Sequence, residues 1–305
     1  MPWGDRAASK VLSGARIGML ALDSARQPLV NPAAFYFASG SILMTTSRYA
    51  AKLALLRRDP RASFAVTGAD TTVVLTGVLE AFDPLSLSGQ VRAALAGPGF
   101  WWGMGGYTMK NAPFVGGYLL ELAQVPGQWW PQNRVMLRLR VDGQRVLPIS
   151  RPPDADDCLV PEGPPDVARA LSKIPLAYVC WRAERGVDLA PAWWSVSGGR
   201  LVAVPATREW PSQGGVGAMV VESHHSIRAT RMVGVCSRGL FKIADPSVAS
   251  LVAERYGLVA PQIEGPPLLM DPIRLTWWRG FEVGTQSSRE TVRTHRRGPS
   301  ERRER

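Results

Sequence analysis

Three hydroxyl side chains and two cations lie close together early in the chain, in the sequence TTSRYAAK. Hydroxyl groups, cations and the free backbone amides at the start of a helix are the groups that usually bind a phosphate in proteins. The segment therefore predicts an anion site where a strand gives way to a helix. Its candidate residues are Thr45, Thr46, Ser47, Arg48 and Lys52.

The spacing of these residues predicts where the helix begins and which side chains share one of its faces. Ser47 stands where a helix N-cap is expected, and the helix over RYAAKLALLRR ends before Pro60. Arg48 and Lys52 are four residues apart, so both side chains would lie on one face of the first turns. The alternative interpretation is a capped surface helix whose cations face water.

The chain repeats itself. The segment KVLSGARIGMLAL from Lys10 matches RALSKIPLAYVCW from Arg169, and the match continues with one constant shift to the next glycine turn. After a change of length, Gly77 corresponds to Gly239, and a DP pair follows in both copies. Self-similarity at this scale predicts two copies of one domain.

Within each copy, short β-rich segments alternate with glycine turns and are flanked by short helices. We expect a mainly β fold with flanking helices, built as two tandem split β-barrels that form a pseudo-dimer within one chain. The predicted divisions are a first barrel over 1–147, a linker over 148–165, a second barrel over 166–284 and a disordered basic tail over 285–305.

The TTSRYAAK motif occurs in one copy only. The aligned segment of the second copy is VPATREWPSQGG, in which the run of hydroxyls and the lysine are lost and a helix is not expected. A feature that the barrel needs for folding should persist in both copies. The motif therefore predicts one anion site per chain, and the second barrel is expected to be degenerate.

Composition excludes several other classes of site. The chain has three cysteines and three histidines, so neither a zinc site nor a Ser/His/Asp triad is expected. The net charge of +11 is partly concentrated in the tail, where it would allow only nonspecific contact with nucleic acid. No apolar run is as long as a membrane span and no segment resembles a signal peptide, so we expect a soluble cytoplasmic protein.

The order RIGMLAL, PLVNPAAFYF, GSILMTTSRYAAK, RDPR and VVLTGVLEAF resembles the flavin-binding split β-barrel family. This family includes pyridoxamine 5′-phosphate oxidase and the deazaflavin-dependent reductases, and the resemblance covers residues 10–83 well and 135–141 loosely. It implies a cofactor between two barrels, with the five residues of the motif on its phosphate and the backbone of Met44 and Thr45 near its ring.

Tryptophans are the candidates for the side of the cofactor pocket that lies opposite the TTSRYAAK motif. An insertion over 97–121, rich in glycine and aromatic residues, has the composition of a mobile flap over a ligand, or of a surface loop that packs on the barrel. WWRG near the end of the second copy resembles a substrate-side strand of the oxidase, without its histidine pattern. The candidates for this wall are Trp101, Trp102, Trp277, Trp278 and Arg279.

The predicted function is an FMN-binding oxidoreductase acting on an unknown small molecule, with the deazaflavin coenzyme as the alternative cofactor. No catalytic residue is assigned, because a flavin carries the hydride or electrons itself. Two alternatives stay open. One is a non-catalytic flavin- or haem-binding protein, for which His224 and His225 are the only internal histidine pair. The other is an interaction scaffold whose two sites have both decayed.

Overall fold

A computed structural model describes residues 5–149, 156–158, 163–184, 186–207, 209–225, 227–257 and 265–287. Most of the predicted linker lies outside these residues, and so does the predicted basic tail from residue 288 onward. Within the described part of the chain, no helix is long and apolar enough to cross a membrane.

The first copy forms a closed barrel of six antiparallel strands in the order β1-β2-β3-β6-β5-β4. Helices α1 to α5 flank it, and the chain continues through three single-turn helices before the last strand. The elements are α1 (Arg6–Gly14), β1 (Ile17–Leu22), β2 (Leu29–Ala38), β3 (Ser41–Ser47), α2 (Ala51–Arg58), β4 (Arg61–Thr67), β5 (Thr71–Phe82), α3 (Leu87–Leu95), α4 (Pro98–Lys110), α5 (Ala112–Leu120), the turns Leu122–Gln124, Gly127–Trp129 and Pro131–Asn133, and β6 (Arg134–Pro148).

The second copy repeats this topology. Its strands follow the order β11-β10-β7-β8-β9-β12, pairing of β11 with β12 closes the ring, and β13 extends β12. The elements are α6 (Pro165–Leu171), β7 (Ala177–Ala183), β8 (Gly186–Ser197), β9 (Arg200–Pro205), β10 (Gly215–Ser223), a turn at Ala229–Arg231, β11 (Val233–Ile243), α7 (Ser247–Arg255), β12 (Leu268–Arg279) and β13 (Glu282–Ser287). The strand order of the first barrel is thus reproduced element by element, and the predicted fold class is confirmed.

A matched pair of glycines shows how closely the copies correspond. The β5–β6 register shifts beside Gly77, and the β11–β12 register shifts beside Gly239. A Cβ at Gly77 would lie 2.0 Å from the Arg140 carbonyl oxygen, and one at Gly239 would lie 1.9 Å from the Asp271 carbonyl oxygen. Both glycines therefore permit an equivalent bulge against the neighbouring strand, which explains why the sequence repeats them.

Alternate side chains of strand β6 point into the barrel interior. On β6, Leu137 and Leu139 are buried in the first core, while Arg138 and Arg140 lie outside and form ion pairs with Glu80. The side chains of this strand therefore alternate between the barrel interior and its surface. The strand begins at Arg134 and reaches Pro148, so it extends beyond the range 135–141 that the family resemblance covers.

The two barrels pack against each other along a shared apolar cluster. Side chains of β1, β2 and β4 meet side chains of β7, β8, β10 and β11 there, and Trp278 joins them. Polar contacts border the cluster: the Tyr178 hydroxyl donates to Thr67 Oγ1 at 2.9 Å, and Arg145 pairs with both Asp188 and Glu209. The chain thus forms an intrachain pseudo-dimer.

The insertion is helical and lies on the barrel. Helix α4 packs on β2 and β3 through a glycine face, where a Cβ at Gly103 would lie 2.3 Å from Leu43 and one at Gly106 would lie 2.5 Å from Tyr36. Farther along, Glu121 accepts a hydrogen bond of 2.8 Å from Thr230 of the second barrel. The segment expected to be a flap or a loop is therefore a pair of helices that also contacts the second barrel.

Candidate functional site

Strand β3 presents its polar residues to two different environments. Ile42 and Met44 point into the barrel core, and Thr46 follows the same direction, with a buried hydroxyl that has no hydrogen-bond partner among the described residues. Thr45 and Ser47 point outward, toward the insertion. Strand pairing sets Ser47 opposite Arg134, the first residue of β6. The outward face of this strand end therefore carries two hydroxyls and a guanidinium.

Arg134 is the central cation of this face. Its guanidinium donates a hydrogen bond of 2.9 Å to Thr45 Oγ1 and lies over the Trp129 ring, 5.8 Å from the centroid. Thr45 Oγ1 also lies 3.1 Å from the Tyr107 hydroxyl. No carboxylate among the described residues bonds to Arg134, and burial lowers the pKa of its guanidinium. Its charge thus lacks a compensating anion.

Lys52 brings a second cation to the same place. It occupies the second position of α2, and burial together with the charge of Arg134 lowers the pKa of its ammonium group to about 8. In the part of the chain that the structure describes, the ammonium forms neither a hydrogen bond nor an ion pair. Two partly desolvated cations that repel each other are unfavourable unless an anion binds between them.

These residues define what we call the Lys52–Arg134 site: Thr45, Ser47, Lys52 and Arg134. Within it, the Ser47 hydroxyl donates to the Gln128 carbonyl at 2.6 Å and accepts from the Tyr49 amide at 3.2 Å. Ser47 is not the N-cap that the sequence predicts. Helix α2 begins at Ala51, after Ala50, without a side-chain cap.

Arg48 does not join the site. Because the helix begins later than predicted, Arg48 lies in the connecting turn, where its guanidinium pairs with Asp83 and its amide donates to the Asn133 carbonyl at 2.8 Å. The predicted common helical face of Arg48 and Lys52 is therefore absent. Of the six residues predicted to bind a cofactor, the structure brings together the side chains of Thr45, Ser47 and Lys52.

Aromatic side chains surround Arg134 on the side of the second barrel. Tyr118 of α5 and Trp129 both contact Phe281, which follows β12, with ring centroids 6.0 and 5.7 Å apart. The Tyr118 hydroxyl donates to the Trp129 carbonyl, and burial raises its pKa although the charge of Arg134 opposes the shift. The Trp129 indole nitrogen is buried, and no described residue forms a hydrogen bond with it. Both barrels therefore contribute to the surroundings of the site.

The tryptophans predicted to wall the pocket lie elsewhere. Trp101 and Trp102 are 51% and 82% exposed on the outer side of α4. Trp277 packs on the core of the second barrel, and Trp278 lies in the cluster between the barrels. Arg279 is exposed and pairs with Asp166 and Glu282. None of the five contacts the Lys52–Arg134 site through a described hydrogen bond, ion pair or ring contact.

Among its described residues, the second barrel has no counterpart of the site. Counted along the strands from the Ala203–Leu268 pair, the positions of Thr45, Ser47 and Arg134 carry Val204, Ala206 and Gly265. The two apolar residues pack in a cluster with Trp193 and Tyr256. Between β9 and β10 no helix is present in the described residues. The expected loss of the motif in the second copy is matched by apolar filling of the same face.

Sequence reasoning missed Arg134, Tyr107, Tyr118, Trp129 and Phe281. The signal for Arg134 was available, because it stands directly before the strand segment VMLRLRV and β3 must pair with that strand to close the barrel. The aromatic residues come from the insertion, from the single-turn helix Gly127–Trp129 that follows it, and from the β12–β13 turn. Their positions depend on how these segments fold onto the barrels, which residue spacing does not indicate.

The chain thus consists of two tandem split barrels, and the first of them carries a cluster of two cations and two hydroxyls at the end of β3. No protein-family model matches the chain, and no curated protein matches its sequence. An FAD-binding protein from Mesorhizobium loti is 19% identical, with 48% of this chain and 96% of that chain covered and a TM-score of 0.34. A pyridoxamine 5′-phosphate oxidase-related, FMN-binding protein from Nostoc punctiforme is 14% identical, with 63% and 97% covered and a TM-score of 0.35.

At these identities and TM-scores, neither likeness assigns a family or a function to this chain.

Proposed function

We propose that the chain binds one phosphate-bearing flavin-type cofactor at the Lys52–Arg134 site and acts as an oxidoreductase on a small molecule. One observation carries the proposal. Two cations lie beside outward-facing hydroxyls without a carboxylate among the described residues, and only in the barrel whose sequence keeps the motif.

The residues of the site fit a phosphate. A phosphate monoester carries close to two negative charges at neutral pH and accepts several hydrogen bonds, which matches the Lys52 ammonium, the Arg134 guanidinium and the Thr45 hydroxyl. Tyr118 and Trp129, which lie near Arg134, and Phe281, which contacts both rings, are the aromatic residues that could hold a ring. A flavin would supply hydride or electron transfer, and these residues would orient it and exclude water.

FMN is the cofactor that we favour. A single phosphate needs only the compact Lys52–Arg134 site, whereas the deazaflavin coenzyme has a longer anionic tail. Arg57 and Arg58 could extend a basic groove, but both are exposed. Arg57 lines a different cavity of about 660 Å³, shared with β5 and α3. Arg57 and Arg58 therefore do not extend the Lys52–Arg134 site into a longer basic groove.

A non-catalytic cofactor-binding protein is the second candidate, and the packing of α4 favours it. The helix covers the outer face of β2 and β3, and Tyr107 bonds to Thr45 there. A substrate could not stack on that face without moving the helix. A rate measurement separates the two functions. The FMN-loaded protein is reduced with dithionite and mixed with a panel of oxidised acceptors. Only an oxidoreductase would reduce an acceptor faster than free reduced FMN does.

The proposal is tested by titrating FMN with the purified, cofactor-free protein and following flavin fluorescence. We expect a saturable change at one FMN per chain, because Val204, Ala206 and Gly265 stand at the matching positions of the second barrel. The deazaflavin coenzyme, titrated in parallel, should bind more weakly. An absence of saturable binding by either compound would refute a flavin-type cofactor, and two FMN per chain would refute the asymmetry between the barrels.

Affinity for FMN should depend on pH through Lys52. In the free protein the pKa of Lys52 is about 8, so the ammonium is charged below that pH and becomes neutral above it. A bound phosphate favours the charged form, so the dissociation constant should rise above pH 8 by up to about tenfold per pH unit. Below about pH 6 the phosphate gains a proton and affinity falls again. Fluorescence titrations from pH 5.5 to about 9.5 measure this profile; an affinity that stays constant above pH 8 would contradict the role of Lys52.

A further inference from the structure

A second cavity lies where the insertion meets both barrels. Its volume is about 380 Å³, within the range of small-molecule pockets. It is bounded by the segment leading into β1, by the junction of α4 and α5, and by the residues that follow β10. The lining residues are Gly14, Ala15, Arg16, Ile17, Asn111, Phe114, His224 and His225.

Asn111 gives the cavity an unused hydrogen-bond acceptor. The residue is fully buried, and its amide nitrogen donates to the Phe35 and Tyr107 carbonyls at 3.3 and 3.0 Å. These two bonds fix the orientation of the amide, since both partners are acceptors. The Oδ1 atom is buried without a partner among the described residues. A buried acceptor without a partner is costly unless a ligand donates to it.

Arg16 brings a positive charge to the other side of the cavity, and its side chain is exposed. In the described chain, the Arg16 guanidinium has no ion pair or hydrogen bond. Burial lowers the pKa of the nearby Lys110 to about 8, and the charge of Arg16 adds to this shift. His224 Nδ1 lies 3.0 Å from Glu222 Oε1, which raises the histidine pKa, while Glu222 Oε2 is buried without a hydrogen-bond partner among the described residues. Arg16 is therefore the cation that remains available to an anion.

His225 and Phe114 complete the set of contacts. His225 Nδ1 accepts hydrogen bonds from the Ile227 and Arg228 amides at 3.2 and 3.1 Å, so the ring proton of a neutral imidazole resides on Nε2. That nitrogen is a donor. Phe114 supplies an aromatic surface. The cavity therefore combines cationic and neutral donors, one buried acceptor and an apolar wall.

We propose that this cavity binds a small aromatic monocarboxylate that carries a hydroxyl group, with its carboxylate at Arg16 and the histidines and its hydroxyl donating to Asn111 Oδ1. The inference does not depend on a flavin. If the proposed cofactor binds, the ligand lies one turn of α4 from Tyr107, which contacts Thr45 of the Lys52–Arg134 site. In that case it is a candidate for the substrate side of the same junction.

The test is isothermal titration calorimetry of the full-length protein with 4-hydroxybenzoate as the probe. We expect saturable binding that Arg16→Gln weakens about tenfold or more, because a charge-assisted contact is lost. Arg26→Gln is the matched control, since Arg26 is an exposed arginine outside the cavity lining. Benzoate, which lacks the donor for Asn111, and 4-hydroxybenzamide, which lacks the carboxylate, should each bind more weakly than 4-hydroxybenzoate.

Three outcomes would overturn the proposal: no saturable binding up to about 10 mM, equal affinities of the Arg16→Gln and Arg26→Gln variants, or equal affinities for all three probes. Competition with FMN, or loss of binding in Lys52→Met, would place the probe at the Lys52–Arg134 site and also overturn it. Failure of FMN to bind leaves these expectations unchanged, so the two proposals can fail separately.

Discussion

Replacing Lys52 with methionine is expected to weaken FMN binding by about 10- to 150-fold, which corresponds to about 1.5–3 kcal/mol for a hydrogen bond to a charged group. Methionine is nearly as long as lysine and keeps an apolar stem, but it removes the ammonium group. The dissociation constant from fluorescence titration at pH 7 measures the effect. Lys10→Met is the matched control, because Lys10 is exposed on α1 and lies outside the Lys52–Arg134 site.

The same substitution should stabilise the protein without ligand. The pKa of Lys52 is lowered to about 8 from 10.5, so its charged form is disfavoured in the folded state. Below pH 8 the folded protein bears the full cost of the charge; the cost shrinks between pH 8 and 10.5 and vanishes above 10.5. The Lys52→Met variant should therefore melt about 2 °C higher at pH 7 and no higher near pH 11.

A stability gain combined with a loss of affinity is the signature of a binding residue kept at a cost to the fold. A surface lysine would show neither effect. If Lys52→Met changed the melting temperature and the affinity no more than Lys10→Met does, the ammonium would be an ordinary solvated group and the assignment of Lys52 would be wrong.

Substitution of Gly77 by valine is expected to destabilise the first barrel by about 3 kcal/mol or more and to lower the melting temperature by about 5 °C. Any Cβ at this position would lie 2.0 Å from the Arg140 carbonyl oxygen, so β5 and β6 would have to separate at the bulge. Thermal unfolding followed by circular dichroism measures the change.

Gly215 provides the control for this substitution. It begins β10, is exposed, and a Cβ there would meet no atom within 4 Å. Valine suits a strand, so Gly215→Val should leave the melting temperature unchanged or raise it slightly. Equal destabilisation by the two substitutions would show that the bulge, and with it the correspondence of Gly77 and Gly239, does not require glycine.

The duplication was predictable because it depends on short-range patterns. Strand alternation, glycine turns and the bulge glycines occur at matching positions in both copies, and each has a local physical cause. The outward direction of Thr45 and Ser47 follows from the same alternation. These features needed no knowledge of how distant segments pack.

The start of α2 was predicted too early for a local reason. Ser47 can cap a helix, and we expected it to do so, but its hydroxyl donates instead to the carbonyl of Gln128, in the segment between the insertion and β6. Arg48 is then left in the turn, where Asp83 pairs with it. The Ser47 hydroxyl thus forms a tertiary hydrogen bond with a residue 81 positions away in place of the local bond that would cap the helix.

The second cation of the site could not be found by spacing alone. Arg134 is separated from Lys52 by most of the first barrel, and only the pairing of β3 with β6 places it opposite Ser47. The insertion posed a different difficulty. Its glycines favour a flexible loop by composition, yet Gly103 and Gly106 serve close packing of α4 on β2 and β3.

The central claim is that the Lys52–Arg134 site binds the phosphate of one flavin per chain, and a comparison of FMN with riboflavin tests it most directly. The two compounds differ only in the phosphate. We expect the wild-type protein to bind FMN at least about tenfold more tightly than riboflavin, and the Lys52→Met variant to lose most of that preference while its riboflavin affinity stays unchanged. Equal affinities of the wild-type protein for FMN and riboflavin, or a preference that survives in Lys52→Met, would contradict the account.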